Sequence, residues 1–213
     1  MQQPINLYYP NRFARYIFQA MHEVMGQNSM QVVLSLAKLD WQRDRWPPDT
    51  LDKQFAFASL AAIELALEEV YGGRGGRGLA LQIGRVAFSQ GMRGFGAFAG
   101  MGHPAFRALP LDERTRLGLH ALAEVYNRFS DQQCTVEENA SSYQFSAQHS
   151  PMAWGRTSEK PVCHALVGTL QECLRWASNG YEFHVYETAC RACGSSRCEF
   201  TVNKTPIGQR SGE

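Results

Sequence analysis

Five of the six cysteines fall between positions 163 and 198, and three of them stand in the segment Glu187-Thr-Ala-Cys190-Arg-Ala-Cys193-Gly-Ser-Ser-Arg-Cys198. Thiols this close together are bridged, buried or bound to a metal, and each choice fixes the backbone around them. Residues 181 to 188 and 198 to 203 read as strands, so the three cysteines occupy the end of one strand, the turn, and the start of the next. Zinc takes four soft or borderline ligands in a tetrahedron, and such a hairpin supplies three. The helix leading into the hairpin carries Cys163 in its first turn, which places a fourth sulfur within reach; His164, His184 and Glu187 are the competing nitrogen and oxygen donors. The plainer reading, scattered core thiols, sits poorly with Gly194 and the polar turn residues, but it suffices for Cys134 and Cys173. A redox role for Cys190-x-x-Cys193 lacks the strand-to-helix setting that lowers a thiol pKa at a helix N-terminus.

Around this segment the chain divides into a helical half and a strand-rich half. Residues 12 to 25 place Phe13, Ile17, Ala20, Met21 and Val24 at helical spacing, with Asn11 as N-cap and Gly26 as stop. A second apolar stretch, 30 to 39, reads as helix. Trp46-Pro47-Pro48-Asp49 breaks the chain before another helix from about 55 to 70, whose acids Glu64, Glu68 and Glu69 mark its expected wet side. Pro110, Asp112 and Glu113 open a helix running to about 129. The period then changes: 133 to 138 and 142 to 149 alternate as strands about the turn Asn139-Ala140-Ser141. Residues 161 to 178 return to helix and stop at Asn179-Gly180. The expectation is a single α+β domain over 1–205, its helical N-terminal half packed on an antiparallel sheet, followed by a flexible tail over 206–213.

Lys and Arg number 21 against 20 Asp and Glu, a net charge of +1 that lacks the basic signature of a nucleic-acid binder. No apolar run approaches the roughly 18 residues of a membrane span, and the first 25 residues carry Asn11, Arg12, Arg15 and His22 where a signal peptide is greasy. A cytoplasmic protein with reduced thiols is expected.

The pattern Glu187-x-x-Cys190-x-x-x-Gly194-x-x-x-Cys198-x-Phe200, after a helix starting Pro161-Val162-Cys163, resembles the 4-vinyl-reductase domain. The stretch Val70-Tyr71-Gly72 through Arg74, Gly84-Arg85 and Phe88 is similar to that family's central region. The family takes its name from a bacteriochlorophyll-synthesis protein, and related domains sense phenol and xylene for transcription regulators. The resemblance implies a fold shared with TRAPP vesicle-tethering subunits and similar to haem-nitric-oxide-binding domains. It further implies zinc held by Cys163, Glu187, Cys190 and Cys198, with Cys193 a bystander able to replace Glu187, and a pocket for an aromatic, hydrocarbon or tetrapyrrole ligand between helices and sheet.

The stretch from Val70 to Leu111 holds no acid, five arginines and eleven of the nineteen glycines. Gly73-Arg74-Gly75-Gly76-Arg77-Gly78 spells G-x-G-x-x-G, yet it follows a helix and has no acid about 20 residues on, so it reads as a flexible connection between helices. The segment 91 to 106 reads as a mobile loop. Phe88, Phe95 and Phe98 are expected to line or cover the ligand, with Arg85, and beyond it Arg93, His103 and Arg107, as polar anchors. His149 and Trp154 are further pocket candidates.

No Ser/His/Asp set or H-E-x-x-H is readable, and zinc with four protein ligands has no open position for chemistry. The sequence therefore supports a zinc-stapled binding domain, sensor or carrier, expected as a homodimer that signals through a protein partner. The alternatives are an enzyme or accessory protein of 8-vinyl reduction, for which no nicotinamide or flavin site is visible, and an assembly module like the TRAPP subunits.

Overall fold

The computed structural model describes residues 6–40, 45–94 and 103–208, the side chains of 93 and 94 excepted. Strand β1 (Tyr8–Pro10) leads into helix α1 (Asn11–Leu36), and β2 (Lys53–Ala56) into helix α2 (Phe57–Gly94). A single helical turn, α3 (Pro104–Arg107), precedes α4 (Leu111–Phe129), the hairpin β3 (Cys134–Glu138) and β4 (Ser142–Ala147), then α5 (His164–Ala177), β5 (Val185–Ala189) and β6 (Cys198–Asn203). The helical first half and strand-rich second half of the α+β expectation are both present.

Strands β3 to β6 form one antiparallel sheet in the order β3-β4-β6-β5. The alternation read over 142 to 149 has its physical cause in the core. Tyr143, Phe145 and Ala147 of β4 face Val202, Phe200 and Cys198 of β6, and all six are buried. The short pair β1 and β2, joining Tyr9 to Phe55, is not legible in the sequence, because three or four residues are too few for a period. It pins the starts of α1 and α2 side by side.

The stretch 12 to 25 is helical and stops at Gly26 (φ 76°, ψ 166°) as the sequence reads, the second arm of α1 then running on to Leu36; α2 likewise has two arms that meet at the non-helical Gly72 (φ 70°, ψ 163°), and its second arm runs through the glycine run. A positive φ costs glycine nothing and an L-residue 1 kcal/mol or more, roughly, so these are the places where a long helix can turn. The expected flexible connection at 73 to 78 is thus helical. Its glycines pack: a Cβ on Gly76 would stand 2.7 Å from the Leu67 carbonyl oxygen, so the two arms of α2 close on each other there. The expected mobile loop over 91 to 106 begins as helix up to Gly94 and ends in α3, and residues 95 to 102 lie outside the described residues. At the C-terminus the Ile207 amide donates to the Glu182 carbonyl (2.8 Å), which ties the start of the expected loose tail.

Helices α2 and α5 cross with their backbones in contact. A Cβ on Gly84 would lie 1.9 Å from the Ala165 carbonyl oxygen, and one on Gly168 would lie 2.0 Å from that of Leu81. Thr169 Oγ1 donates across the crossing to the Gly84 carbonyl at 3.3 Å. Beside it, Arg85 spans to Glu182 at 2.8 and 3.0 Å and to Gln171 at 2.9 Å. No helix among the described residues is long and apolar enough to cross a membrane.

Overpacking a close-packed site costs about 1–3 kcal/mol, and backbone on both sides leaves little room to yield. Gly84→Ala and Gly168→Ala are therefore each expected to lower stability by at least about 2 kcal/mol in urea unfolding, whereas Gly78→Ala, with open space around it, is expected to change it by less than about 1 kcal/mol.

Candidate functional site

Two sites stand close together, a cluster of ligating side chains at the start of α5 and an apolar cavity along its next two turns.

The cluster is built at a corner. Cys163 is the N-cap of α5, and its amide donates to Glu187 Oε2 at 2.8 Å. Glu187 lies on β5, where the register with β6 slips between Glu187 and Ala189; such a bulge turns the strand end and re-aims the next side chains. Cys190 follows, then one turn of 3-10 helix, Arg191–Cys193, and Cys198 opens β6 opposite Ala147. The turn is closed by amides of Cys193 and Ser195 donating to the Cys190 carbonyl at 3.0 and 3.2 Å, while the Arg191 amide donates to Cys198 Sγ at 3.3 Å.

One ligating atom from each of Cys163, Glu187, Cys190 and Cys198 lies within 4.8 Å of all the others. The Cys163 and Cys198 sulfurs are 3.6 Å apart, close to the roughly 3.8 Å edge of a tetrahedron whose metal–sulfur bonds are about 2.3 Å. Ser150 Oγ lies 3.1 Å from Cys163 Sγ as an outer partner. Glu187 Oε1 is buried and unpartnered. An orphaned carboxylate oxygen facing three sulfurs is satisfied by a cation, so the donor set and its spacing fit zinc.

The protons of the cluster tell the same story. Hydrogen bonds from Cys163 and Cys198 pull the Cys190 thiol far below its ordinary value. Burial, and hydrogen bonding to Cys190, push Cys163 well up, and burial raises Glu187 to about 8. At Cys198 the hydrogen bond from Cys163 lowers the pKa, but that to Cys190 together with burial pushes it up to about 12. Cys193 is exposed and outside the four, as a bystander would be. Cys134 and Cys173 are buried thiols distant from this set, Cys173 facing the Gly118 carbonyl at 3.4 Å.

The cavity measures about 80 Å³. Tyr9, Phe13, Tyr16 and Ile17 wall it from β1 and α1, and Leu122, Val125 and Tyr126 from α4. Helix α2 contributes twice, Leu60, Ile63, Glu64 and Leu67 before its bend and Ile83, Gly84, Ala87 and Phe88 after it; Ala165 and Thr169 of α5 and Met152 close the rest.

Phe88 lines this cavity, while Phe95 and Phe98 lie outside the described residues. The other candidates stand elsewhere. Arg85 is engaged by Glu182 and Gln171 on the outer side of the crossing. His149 and Trp154 stack edge to face at 5.9 Å, and Trp154 meets Phe57, which in turn meets the cavity residue Tyr9. They therefore back the cavity wall and do not line it. His103 accepts the Ala105 amide at the start of α3, and the Arg107 guanidinium lies 4.6 Å over the Trp176 ring.

Glu64 overturns the expected wet side of α2: it is 3% exposed and lines the cavity. Burial raises its carboxyl to about 8, against the opposing pull of Arg156. Its place is readable. Leu60, Ile63, Glu64 and Leu67 follow the spacing of one helical stripe, so Glu64 sits on the apolar face, whereas Glu68 turns outward to Arg156.

Residues 144–204 match the family model of the 4-vinyl-reductase domain. The resemblance read from the cysteine motif is therefore shown over the stretch from β4 to the end of β6, which holds all four residues of the cluster. No curated protein matches the chain. Among solved structures, the Fe(II) unliganded H-NOX protein from K. algicida is similar at 13% identity and a TM-score of 0.60, over 95% of this chain and 100% of that one. An oxygen-binding H-NOX domain related to soluble guanylate cyclases, solved as its oxygen complex, gives 14% and 0.54, over 93% and 96%. The phenol-responsive sensory domain of the transcription activator PoxR, solved with phenol, gives 20% and 0.51, over 73% and 76%. The architecture is that of the nitric-oxide-sensing domains, in agreement with the α+β expectation.

A native carboxyl with a raised pKa binds more protons than its unfolded counterpart, so stability falls as pH rises through the interval. Glu64 is expected to withdraw stability between about pH 4.5 and 8, the ordinary and buried values. Melting temperatures across that range should fall for the wild type relative to Glu64→Gln, with the two curves converging at the acid end.

Proposed function

We propose that this chain is a zinc-stapled binding domain for a small hydrophobic molecule, acting as a sensor or carrier. The observation that carries this reading is the apolar cavity walled by four helices, with its α5 wall held at one end by the metal cluster. Cys163 precedes the first residue of α5 and Ala165, the second, already lines the cavity, so whatever fixes the cluster fixes that wall. Zinc would be held by the three thiolates and Glu187, and it supplies folding energy: structural sites of this kind contribute on the order of 10 kcal/mol. The 4-vinyl-reductase family match and the sensory domain solved with phenol support the ligand class. Size bounds the occupant, since a cavity of about 80 Å³ is far too small for a tetrapyrrole and points to a small molecule. As a sensor the chain would pass its signal through a protein partner, and pairing of two copies is the simplest assembly.

The test is native mass spectrometry of protein purified without added metal. One zinc per chain and a small organic adduct are expected, together with the mass of a homodimer. Cys190→Ser and Cys198→Ser should each lose the zinc and lower the melting temperature by about 10 °C or more, a shift that corresponds to a few kcal/mol at this chain length. Retention of zinc and of the wild-type melting point in both variants would refute the staple.

A further inference from the structure

The cavity lining includes one charged residue, Glu64. Two of its polar neighbours in the lining are engaged within the protein: Thr169 Oγ1 donates to the Ala165 and Gly84 carbonyls, and Tyr9 donates to Gln132. The phenols of Tyr16 and Tyr126 complete the polar part of the lining. The cation nearest in effect, Arg156, is committed elsewhere: its guanidinium holds both Glu68 oxygens at 2.8 and 2.9 Å and points a second nitrogen at the Met152 carbonyl. Glu64 makes no hydrogen bond with any described residue. Glu64 is almost fully buried, and a buried carboxyl without a protein partner is costly. It faces a space lined mostly by hydrocarbon and aromatic rings, in which a bound molecule can pair with it.

We propose that the cavity selects an apolar molecule bearing one hydrogen-bond donor, a hydroxyl or an amine, and that Glu64 is the group that reads it. The hydrocarbon body fills the space among Phe13, Leu60, Ile83 and Phe88, and the donor meets the Glu64 carboxyl. A site built to pair a donor rejects the analogue that lacks it far more strongly than an apolar site rejects a missing methylene, because the buried partner is then left unsatisfied. The inference rests on the binding-domain reading above and adds to it the ligand's polar end.

Three probes of single-ring size test it by calorimetric titration of the full zinc-loaded chain: phenol with a hydroxyl donor, benzylamine with a cationic donor, and fluorobenzene, which matches phenol in shape and has no donor. Phenol or benzylamine should bind the wild type at least tenfold more tightly than fluorobenzene, and the better of the two identifies which donor is read. In Glu64→Leu that preference should fall to within about threefold, while fluorobenzene binds as well as before or better, which also shows that the variant cavity is folded. Glu64→Gln keeps an acceptor and should retain part of the preference for phenol but lose that for benzylamine. Equal binding of phenol, benzylamine and fluorobenzene by the wild type, or a donor preference that survives in Glu64→Leu, overturns the role of Glu64 and leaves the binding domain standing. Failure of all three probes to bind overturns both.

Discussion

The backbones of α2 and α5 touch where Gly84 lies against Ala165 and Gly168 against Leu81, and much of the remaining structure hangs from that crossing. With carbonyl oxygens about 2 Å from where either Cβ would stand, the helices have one depth of approach and one register. That register brings Ala165 and Thr169 together with Ile83 and Ala87 in the lining of one cavity. It also delivers the start of α5, with Cys163, to the mouth of the β5–β6 hairpin. Arg85, Gln171 and Glu182 clamp the outer side, so the crossing is held by packing within and by charge-assisted hydrogen bonds without.

Buried polar groups are handled in three ways around it, and the differences separate structure from function. Arg156 and Glu68 satisfy each other in a bidentate pair. The cluster residues share protons among three thiols and a carboxyl, an arrangement that costs stability until a cation replaces those protons. Glu64 has neither remedy within the chain. Pairs of the first kind hold folds together; on the reading proposed above, the cluster and Glu64 are the places where a cation and a ligand would complete the protein.

The cluster stands at the start of α5, and the next two turns of that helix, through Ala165 and Thr169, line the cavity that Glu64 faces from α2. A metal at the helix start would stiffen the wall against which an occupant packs, and an occupant would report on the same helix. The N-terminal end of α5 also favours negative charge, which suits a site of thiolates. On the reading proposed above, one helix would couple a metal-held end to a ligand cavity; similarity of fold to the H-NOX and PoxR domains does not by itself fix the occupant.

The cysteine spacing, the alternation of β4 and the start and stop signals of α4 and α5 depend on neighbours close in the chain, and for that reason the strand-rich half and the gathering of Cys163 with the hairpin cysteines were legible from the residues themselves, whereas the choice of Glu187 over His164, His184 or Cys193 came from the family resemblance. The helical half was legible only in pieces. Nothing local distinguishes Gly72, where α2 bends, from Gly84, which lets α5 approach, or from Gly76, which closes the two arms of one helix. Glu64 sits on a readable apolar stripe, but its charge argues for solvent, and only the pairing of Arg156 with Glu68 leaves it alone inside. The amino-acid sequence by itself determined that Cys163 and the hairpin cysteines would be drawn to one corner, because strand pairing and a short helix–strand path leave few geometries. Only the tertiary structure decided where the cavity lies and which side chain in it goes unpaired, because both depend on which helices cross, how closely, and which charges have already found partners.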